Sequence, residues 1–557
     1  MSPPSDDQYD VYPLHLGDAA SMNEKFVSWL FRFNDVLDVD KLHVALAQLL
    51  EHGDWRKLGG RLQRTSDGTL ELRVPRRFTE DQPAVAFTKQ DFSTMSISEH
   101  DLAKHLPRPC NLAYSQSIAG NMDFRSFAVP NGFPSSMKQF VAMQAPQIAL
   151  LTTSFKDATL VSVVWPHTLF DGVGLTHLLH GWSLKLAGRD EDIPPVLGAK
   201  EDVLDALDTD TQPATVAFAG PKLVRGLDLF LFIVLFLWHR LFYTPRDTRT
   251  IFLPRAAVDQ ISLEAKKHSG DAFITEGDAI SAWVVKSITS AEPKPHPVTV
   301  MHLVNGRGRL QCLASNGGVY LQNIVSTAFC HLSPTVSGAS VGEIAVESRR
   351  QITEQSSEEQ MTLLLRRVRE SLRNKKRAKL EFLETPHSRV IFTNNLTKAS
   401  YMQTADFGPA VMRRGQDDES RRNPKGTMVN YLHLVVKGHI TATDNFYVIG
   451  KDHGDNYWLM ATVSDKAWIK LDDSDSFVHG NFTVFSMLHE SGTGRVPKYG
   501  VLSLEFVLGP KAALWATGER PPSPASLSAK KARAYLKNQV EKSISKADSG
   551  APPHEAL

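Results

Sequence analysis

His167 and Asp171 are the two side chains of this sequence whose types and spacing best suit chemistry, and Gly172 follows them directly. A neutral imidazole titrates near neutral pH, so it can take a proton from an alcohol while that alcohol attacks a thioester. Asp171 can orient the surrounding loop, either through an ion pair or by accepting backbone N–H groups. A histidine ahead of an Asp-Gly pair also fits an ordinary turn, so these residues alone leave both interpretations open.

The pattern around these residues predicts a strand on one side and a helix on the other. Residues 147–155 and 158–165 are two apolar, β-branched runs separated by a Lys-Asp pair, which is typical of a β-hairpin. After Gly172, apolar side chains recur with the spacing of one helical face at Leu175, Leu178, Leu179, Trp182 and Leu186. His167 is therefore expected on a strand-to-helix loop that rigid elements hold in position.

Two further helices are predicted from capping residues and apolar periodicity. Asp40 is placed to cap a helix over residues 41–51. Thr275 or Asp278 is placed to cap a helix that runs through Ile288. Strands are expected over residues 301–305, 390–393 and several pieces between 427 and 463. Because antiparallel strand signals mix with helices, the sequence indicates an α+β fold and not a Rossmann-type alternation.

The composition is that of a globular protein large enough for two domains. The chain has 557 residues, of which 42% are hydrophobic and 22% charged. Its 62 basic and 61 acidic side chains leave a net charge of +1, so no nucleic-acid partner is expected. The three cysteines, Cys110, Cys312 and Cys330, fit a reducing compartment, and no metal site is expected. The acidic, polar N-terminus is unlike a secretory signal.

The composition and patterning of the sequence change between about residues 190 and 250, which predicts a domain boundary there. We expect an N-terminal domain over residues 1–190, a crossover linker over 191–250, a C-terminal domain over 251–520 and a flexible tail over 521–557. The linker contains ten consecutive apolar residues, from Leu229 to Trp238. A bilayer-spanning helix needs roughly 20 mostly apolar residues, so this insert is marginal as a span.

The segment around His167 resembles the HxxxDG signature of the BAHD acyltransferases and of their fungal trichothecene acetyltransferase-like branch. Six other segments resemble family patterns in the same order along the chain. They are residues 12–18 (PLSPLD), 58–62 (PLAGRL), 147–165 (the hairpin entering the catalytic loop), 275–283 (the helix opening the second domain), 304–309 with 318–323 (VDxRxR and GYxGN), and 392–408 (TSW and DFGWG). Each is weak alone, but together and in this order they identify the chain as a member of the family.

This resemblance implies two similar domains of the chloramphenicol-acetyltransferase type, with mixed sheets and a channel between them. It implies that His167 takes the proton of an acceptor hydroxyl, which attacks the thioester of acyl-CoA directly, without an acyl-enzyme. Acyl-CoA, expected to be acetyl-CoA, is then a co-substrate, and no cofactor is expected to be bound permanently. The partners would be this donor and a small-molecule alcohol, and the protein is expected to be a monomer.

The resemblance also implies roles for residues outside the HxxxDG segment. In the family, the Asp of the motif points away from the substrate and pairs with an Arg of the second domain, for which Arg307 is our choice and Arg309 the alternative. Thr393 or Asn394 would donate a hydrogen bond to the oxyanion of the tetrahedral intermediate. Three residues would support the structure of the site: Gly172, Asp406 and Gly408.

Some residues depart from the family pattern and leave the substrate open. Pro409 and Ala410 stand where Trp-Gly usually completes DFGWG, and Asn394-Asn395 replaces Ser-Trp. The branch acylates secondary metabolites, so we expect a lipophilic alcohol such as a terpenoid or meroterpenoid. Two alternatives stay open: an N-acyltransferase of the same fold, because the same base serves amines, and a non-catalytic, membrane-associated scaffold. A condensation domain is a weaker rival, because Pro166 replaces the first residue of its His-His motif.

The apolar insert bears on where the protein works. His167 precedes the insert and Arg307 follows it, so a single crossing would put the halves of one active site on opposite sides of a membrane. A buried crossover helix and a helix that dips into one leaflet are the two alternatives, and we favour the second. The sequence then predicts a cytoplasmic protein with peripheral contact to an intracellular membrane through residues 229–238.

Overall fold

In the computed structural model the chain is described over residues 8–66, 68–110, 116–118, 120–209, 216–220, 246–314, 317–374, 387–415, 421–436 and 443–473, with a few single positions between 226 and 234. Of the apolar insert, the described residues are Phe230, Leu231 and Val234, so the predicted membrane segment lies largely outside them. Within the described ranges, no helix combines the length and apolarity that a bilayer span requires.

The described strands form two larger mixed sheets and three small ones. In chain order, strands β1 to β19 are Tyr9–Pro13, Phe26–Phe33, Val36–Leu37, Arg61–Arg64, Leu70–Pro75, Ala86–Phe92, Gln116–Ile118, Ala149–Phe155, Thr159–Pro166, Val196–Leu197, Arg246–Leu253, Val298–Asn305, Val319–Tyr320, Val325–Leu332, Arg389–Asn395, Val411–Arg413, Met428–Val435, Asp444–Lys451 and Tyr457–Ser464. Helices α1 to α12 are Val39–Leu49, Arg125–Ala128, Met137–Ala142, Gly172–Leu186, Ala206–Thr209, Arg255–Lys267, Glu276–Ser290, Pro334–Ser337, Val341–Gln355, Glu358–Arg373, Tyr401–Thr404 and Asp465–Asp473. This arrangement confirms the α+β class.

The five-stranded sheet carries the loop that contains His167. Its strand order is β17-β2-β9-β8-β6, antiparallel except for the parallel pair β6 and β8. Strands β8 and β9 form the hairpin expected from the sequence. Strand β9 is buried along its whole length, and its last residue, Pro166, pairs with Phe26 of β2. The loop therefore starts from a fixed point in the core.

The seven-stranded sheet has the order β14-β12-β15-β18-β19-β11-β7. Strands β12, β15 and β18 run parallel to one another, and the other neighbours are antiparallel. Each large sheet takes an edge strand from a remote part of the sequence, because β17 belongs to the first sheet and β7 to the second. The chain thus passes between the two sheets more than once, and the domain boundary expected within 191–250 stays a prediction.

Helix α4 follows the loop and packs against the first sheet. All five residues of its predicted apolar stripe are buried: Leu175, Leu178, Leu179, Trp182 and Leu186. Trp182 Nε1 donates to the Leu42 carbonyl oxygen of α1 at 2.9 Å, which holds the two helices together. The periodicity of the sequence therefore predicted correctly which face of α4 enters the core.

The two predicted caps have different outcomes. Helix α7 begins after Thr275, so Thr275 and not Asp278 is the cap, and Asp278 completes a reciprocal capping box with it. Helix α1 is capped by Asp38 and not by Asp40, since Asp38 Oδ1 accepts from the Lys41 N–H at 2.9 Å. The Asp38 N–H donates to the carbonyl oxygen of Ala410 at 2.7 Å. This contact from a remote segment fixes Asp38 in the cap position, and local sequence could not show it.

Candidate active site

His167 is held through both of its backbone groups. It directly follows β9, and its N–H donates to the carbonyl oxygen of Lys25 at 2.8 Å, which extends the pairing of β2 with β9. Its own carbonyl oxygen accepts a hydrogen bond from Asn323 Nδ2 at 3.0 Å. Two segments that are remote in sequence therefore fix the residue, as a catalytic group requires if its ring is to keep one position.

The His167 ring is partly buried, and its Nδ1 makes no hydrogen bond to any residue that the structure describes. Burial first, and then the positive charge of Lys25, lower the pKa of the imidazole from its ordinary value to about 4, with Asp171 acting in the opposite direction. A group with this pKa is neutral near pH 7. His167 is therefore in the protonation state that a general base requires.

Asp171 is a structural carboxylate at the start of α4. Its Oδ1 accepts from the Gly174 N–H at 3.0 Å and caps the helix. Its Oδ2 accepts from Arg307 Nη1 at 2.9 Å and from the Ile324 N–H at 3.1 Å. Burial raises the pKa of Asp171, but Arg307 and the two N–H groups outweigh burial and lower it overall. The side chain is therefore ionised at neutral pH and fully occupied by these partners.

Arg307 connects this carboxylate to the chain after β12. Besides Asp171, its guanidinium group donates to the carbonyl oxygens of Tyr320 at 3.1 Å and Gln322 at 2.5 Å. Arg309, the alternative partner, instead donates to a backbone oxygen at 2.8 Å on the exposed side of the turn. The pair expected from the sequence, Asp171 with Arg307, is thus present with both side chains less than 10% exposed.

Asn323 and Asp18 are two residues at this site whose role the sequence analysis missed. Asn323 Nδ2 donates both to the His167 carbonyl oxygen and, at 2.7 Å, to Asp18 Oδ1. The Asn323 N–H donates to the same Asp18 oxygen at 2.8 Å. Asp18 is 1% exposed. The signal was present in the sequence, because these residues end the two segments compared with PLSPLD and GYxGN.

Gly172 opens α4 where this helix meets α11. The Tyr401 hydroxyl donates to the Gly172 carbonyl oxygen at 2.8 Å, and a Cβ on Gly172 would lie 2.6 Å from that hydroxyl. Tyr401 is fully buried and packs edge-on against Trp29, with ring centroids 4.5 Å apart. It therefore has no room to retreat. The absence of a side chain at Gly172 is what allows the catalytic loop to sit this close to α11.

Thr393 and Asn394 lie on opposite faces of β15, because side chains alternate along a strand. Thr393 shares its face with Ile391, which belongs to the helix-covered core of the seven-stranded sheet. Its Oγ1 is buried and has no hydrogen-bond partner among the described residues. The two candidates for an oxyanion donor are thus separated by the sheet.

On the face of β15 that carries Asn394, a series of aromatic contacts extends toward His167. Asn394 shares this face with Phe392, whose ring lies 6.0 Å from that of Tyr447. Tyr447 lies 5.4 Å from the ring of His433, whose pKa is lowered by burial first and then by Lys25 and His167. Asn394 is therefore the better placed of the two residues expected to donate to an oxyanion.

Asp406 and Gly408 form a turn at the far end of α4. The Asp406 N–H donates to Ser183 Oγ at 3.0 Å, and Asp406 Oδ1 accepts from the Gly408 N–H at 2.9 Å. Ser183 lies in the last turn of α4, whereas His167 precedes the first turn. Phe407, between the two residues, is fully buried. These contacts give the segment a part in packing α4.

Comparison with known proteins adds to this geometry. The acetyltransferase BOT5 of Botryotinia fuckeliana is 32% identical over 507 residues, which cover 86% of this chain and 92% of BOT5. The O-acetyltransferase PaAT-2 of Phomopsis amygdali is 30% identical over 488 residues, which cover 83% of this chain and 96% of PaAT-2. The chain belongs to the BAHD-type acyltransferases. Its enzyme class, acyltransferase, is confirmed with the family.

Solved structures agree with the BAHD-type fold. F. sporotrichioides TRI101, crystallised with coenzyme A and T-2, aligns with a TM-score of 0.58 at 13% identity, covering 83% of this chain and 96% of TRI101. This likeness confirms the expected fold, a pair of chloramphenicol-acetyltransferase-like halves with mixed sheets. No protein-family model matches the chain.

The departures from the BAHD-type pattern have structural uses in this chain. The Pro409 carbonyl oxygen accepts from Lys41 Nζ at 2.8 Å, and the carbonyl oxygen of Ala410 accepts from Asp38, the α1 cap. Asn395 Oδ1 accepts from the Thr397 N–H at 3.0 Å and shapes the end of β15. Two of these three contacts use backbone atoms of the departing residue, which explains how the usual Trp-Gly can be replaced without loss of the turn.

Proposed function

We propose that this protein transfers an acetyl group from acetyl-CoA to the hydroxyl of a lipophilic secondary metabolite, with His167 as general base. The observation that carries the proposal is a neutral, partly buried imidazole fixed at the end of β9, with the neighbouring carboxylate already occupied by Arg307. Asp171 then serves to shape the loop, and His167 alone is left for proton transfer.

The proposed reaction conserves protons and electron pairs. His167 takes the hydroxyl proton while the acceptor oxygen bonds to the thioester carbonyl carbon, which gives a tetrahedral oxyanion. Collapse of this intermediate restores the C=O bond and breaks the C–S bond. The proton passes from the imidazolium to the departing sulfur, so the products are an ester and CoA with a free thiol. Asn394 is the proposed neutral donor to the oxyanion.

Relatives support the finer parts of this proposal. BOT5 and PaAT-2 are both named as acetyltransferases, PaAT-2 specifically as an O-acetyltransferase. TRI101 has been crystallised with coenzyme A and the mycotoxin T-2. These names support our choice of an acetyl donor, with CoA as a product that leaves after each turnover. The terpenoid or meroterpenoid class of the alcohol rests on the family resemblance.

A thiol-release assay tests the proposal. Purified protein is incubated with acetyl-CoA and parallel panels of terpenoid alcohols and amines, and released CoA thiol and acylated product are both measured. We expect product with at least one alcohol. Product with amines alone would favour an N-acyltransferase, and thiol release with neither panel would favour the scaffold.

The pH dependence of the reaction should report the depressed pKa of His167. Only the neutral imidazole accepts a proton, and its pKa is about 4. We therefore expect kcat/KM to hold as the pH falls from 7 to about 5 and to decline only as the pH approaches 4. A pH profile measures this, and a half-maximal point near the ordinary value of about 6.5 would contradict it.

The lowered pKa of His167 also makes folding stability depend on pH, so the pH profile needs a stability control. An unfolded chain binds the His167 proton near pH 6.5, but the folded chain does so only near pH 4, so folding stability from this group is complete above 6.5 and declines between these values. The melting temperature is therefore measured at each pH. Activity is compared only where the protein is folded.

We also propose peripheral membrane contact through residues 229–238. Among the described residues of this segment, Phe230 is 55% exposed and Leu231 and Val234 are partly buried, while Leu227, just before the segment, is 70% exposed. Exposed apolar side chains of this kind support a docking surface. We expect the protein to sediment with membranes without detergent, and a variant with Ser at 230, 232 and 236 to be released. Phe273→Ser, at an exposed Phe elsewhere, is the matched control. A fully soluble parent protein, unchanged by the triple substitution, would exclude this contact. Monomeric state also stays a prediction.

A further inference from the structure

Lys25 lies beside His167 and is absent from the mechanism above. It directly precedes β2, and its carbonyl oxygen accepts the His167 N–H at 2.8 Å. Its side chain is partly buried, and this burial lowers the pKa of the amine. Within the described ranges, no residue makes a hydrogen bond or an ion pair with this amine.

The groups around Lys25 are predominantly basic. His433 on β17 also lies here, and burial first, then Lys25 and His167, lower its pKa to about 3. The carboxylate that acts on His167 is Asp171, which is already paired with Arg307 at 2.9 Å. The reacting centre therefore holds more basic groups than negative charges to balance them.

Such an arrangement is complementary to negative charge that develops during a reaction. An ammonium group that is partly removed from water and has no counterion gains when a ligand supplies negative charge. In acyl transfer, the electron pair of the thioester C=O moves onto oxygen when the acceptor oxygen attacks, and it returns when the C–S bond breaks. A preorganised cation stabilises that charge strongly in a site from which water is excluded.

We propose that the Lys25 ammonium group is a catalytic residue that stabilises the oxyanion of the tetrahedral intermediate. This inference rests on the proposed acyl transfer by His167. Asn394 can donate a neutral hydrogen bond, but only Lys25 supplies a full positive charge next to the base. The same charge keeps His167 deprotonated before the alcohol arrives, so Lys25 acts both on the base and on the oxyanion.

The test uses Lys25→Met, which keeps side-chain length and removes the charge, and Lys25→Arg, which keeps the charge. Lys138→Met, at an exposed lysine of α3, is the matched control. We expect kcat of Lys25→Met to fall roughly 100- to 1000-fold, with KM for both substrates within about twofold. We expect Lys25→Arg to retain more activity than Lys25→Met, and Lys138→Met to match the parent protein.

Two further readouts separate this role from a structural one. Loss of the Lys25 charge should raise the His167 pKa, so the acid limb of kcat/KM should move to higher pH, and NMR titration of the His167 ring should show the same shift without turnover. The melting temperature should stay equal or rise, because a partly buried charge without an ion-pair partner is removed. If Lys25→Met does not fold, Lys25→Gln is compared with Lys25→Arg.

Failure of this inference differs from failure of the proposed function. If the parent protein transfers no acyl group to any acceptor, the proposed function fails, and with it the oxyanion role of Lys25. If the parent is active and Lys25→Met keeps its kcat and acid limb, only the role of Lys25 fails. A raised KM at unchanged kcat would mean that Lys25 binds a permanently anionic substrate group, and a lower melting temperature with an unmoved acid limb would mean a structural lysine. Either result would overturn the proposal.

Discussion

Replacement of His167 by Ala is expected to leave a folded protein whose turnover is lower by roughly 100-fold or more. The ring is the proposed acceptor of the substrate proton, whereas the backbone bonds to Lys25 and Asn323 do not depend on it. Steady-state kcat with acetyl-CoA and an acceptor alcohol measures the loss. Circular dichroism and the melting temperature verify the fold.

The matched control for this substitution is His180→Ala. His180 lies on the exposed face of α4, so its removal should leave both kcat and the melting temperature close to those of the parent protein. Near-normal turnover in a folded His167→Ala protein would contradict the proposed mechanism. No other described residue lies at the end of β9, where that mechanism places the general base.

Asp171→Asn is expected to reduce both stability and activity. An Asn still caps α4, but it removes the charge that Arg307 faces in a buried pair. Loss of one charge from such a pair leaves the other uncompensated and costs about 3–5 kcal/mol of unfolding free energy. Chemical denaturation measures this loss. Activity should fall with it, because the same pair joins the loop of His167 to the chain after β12.

Asp38→Asn provides the comparison for Asp171→Asn. Asp38 caps α1 in the same manner, and among the described residues it forms no ion pair. Its replacement should change the unfolding free energy by well under 1 kcal/mol, since Asn and Asp are similar N-caps. If Asp171→Asn lost activity at an unchanged melting temperature, a direct chemical role for Asp171 would be the better account.

Local patterns predicted the elements that position the site. The hairpin of β8 and β9, the apolar stripe of α4 and the cap of α7 all depend on residues close in sequence, so their signals are complete within one segment. The prediction from the sequence that Asp40 caps α1 is wrong. Both Asp38 and Asp40 are acceptable caps. The choice between them is made by Ala410, far along the chain.

Within the candidate site, only the residues that belong to family motifs could be predicted from the sequence. His167, Asp171 and Arg307 follow from the family pattern, and the structure places the last two in contact. The segment that resembles GYxGN marks Asn323, but the contacts of Asn323 with His167 and Asp18 depend on the fold. The position of Lys25 depends on strand register, since Lys25 lies opposite His167, one step beyond the pair of Phe26 and Pro166.

The choice between Thr393 and Asn394 shows a different limit. Alternation along a strand says that the two side chains point to opposite faces, but not which face is the reacting one. That assignment needs the neighbour of the strand. Strand β18 supplies this information, because it places Tyr447 next to Phe392. Tyr447 in turn contacts His433.

The position of β17 has a consequence for synthesis of the protein on the ribosome. Strand β2 is apolar and almost wholly buried, with β9 on one side and β17 on the other. Strand β9 ends at Pro166, but β17 ends only at Val435, so roughly 270 residues must be added before the sheet is complete, on the order of tens of seconds of translation. During that interval a nascent chain presents an open hydrophobic edge, which is the kind of surface that recruits chaperones or aggregates. Lower growth temperatures and co-expression of chaperones should therefore raise the yield of folded enzyme more than stabilising substitutions at the surface.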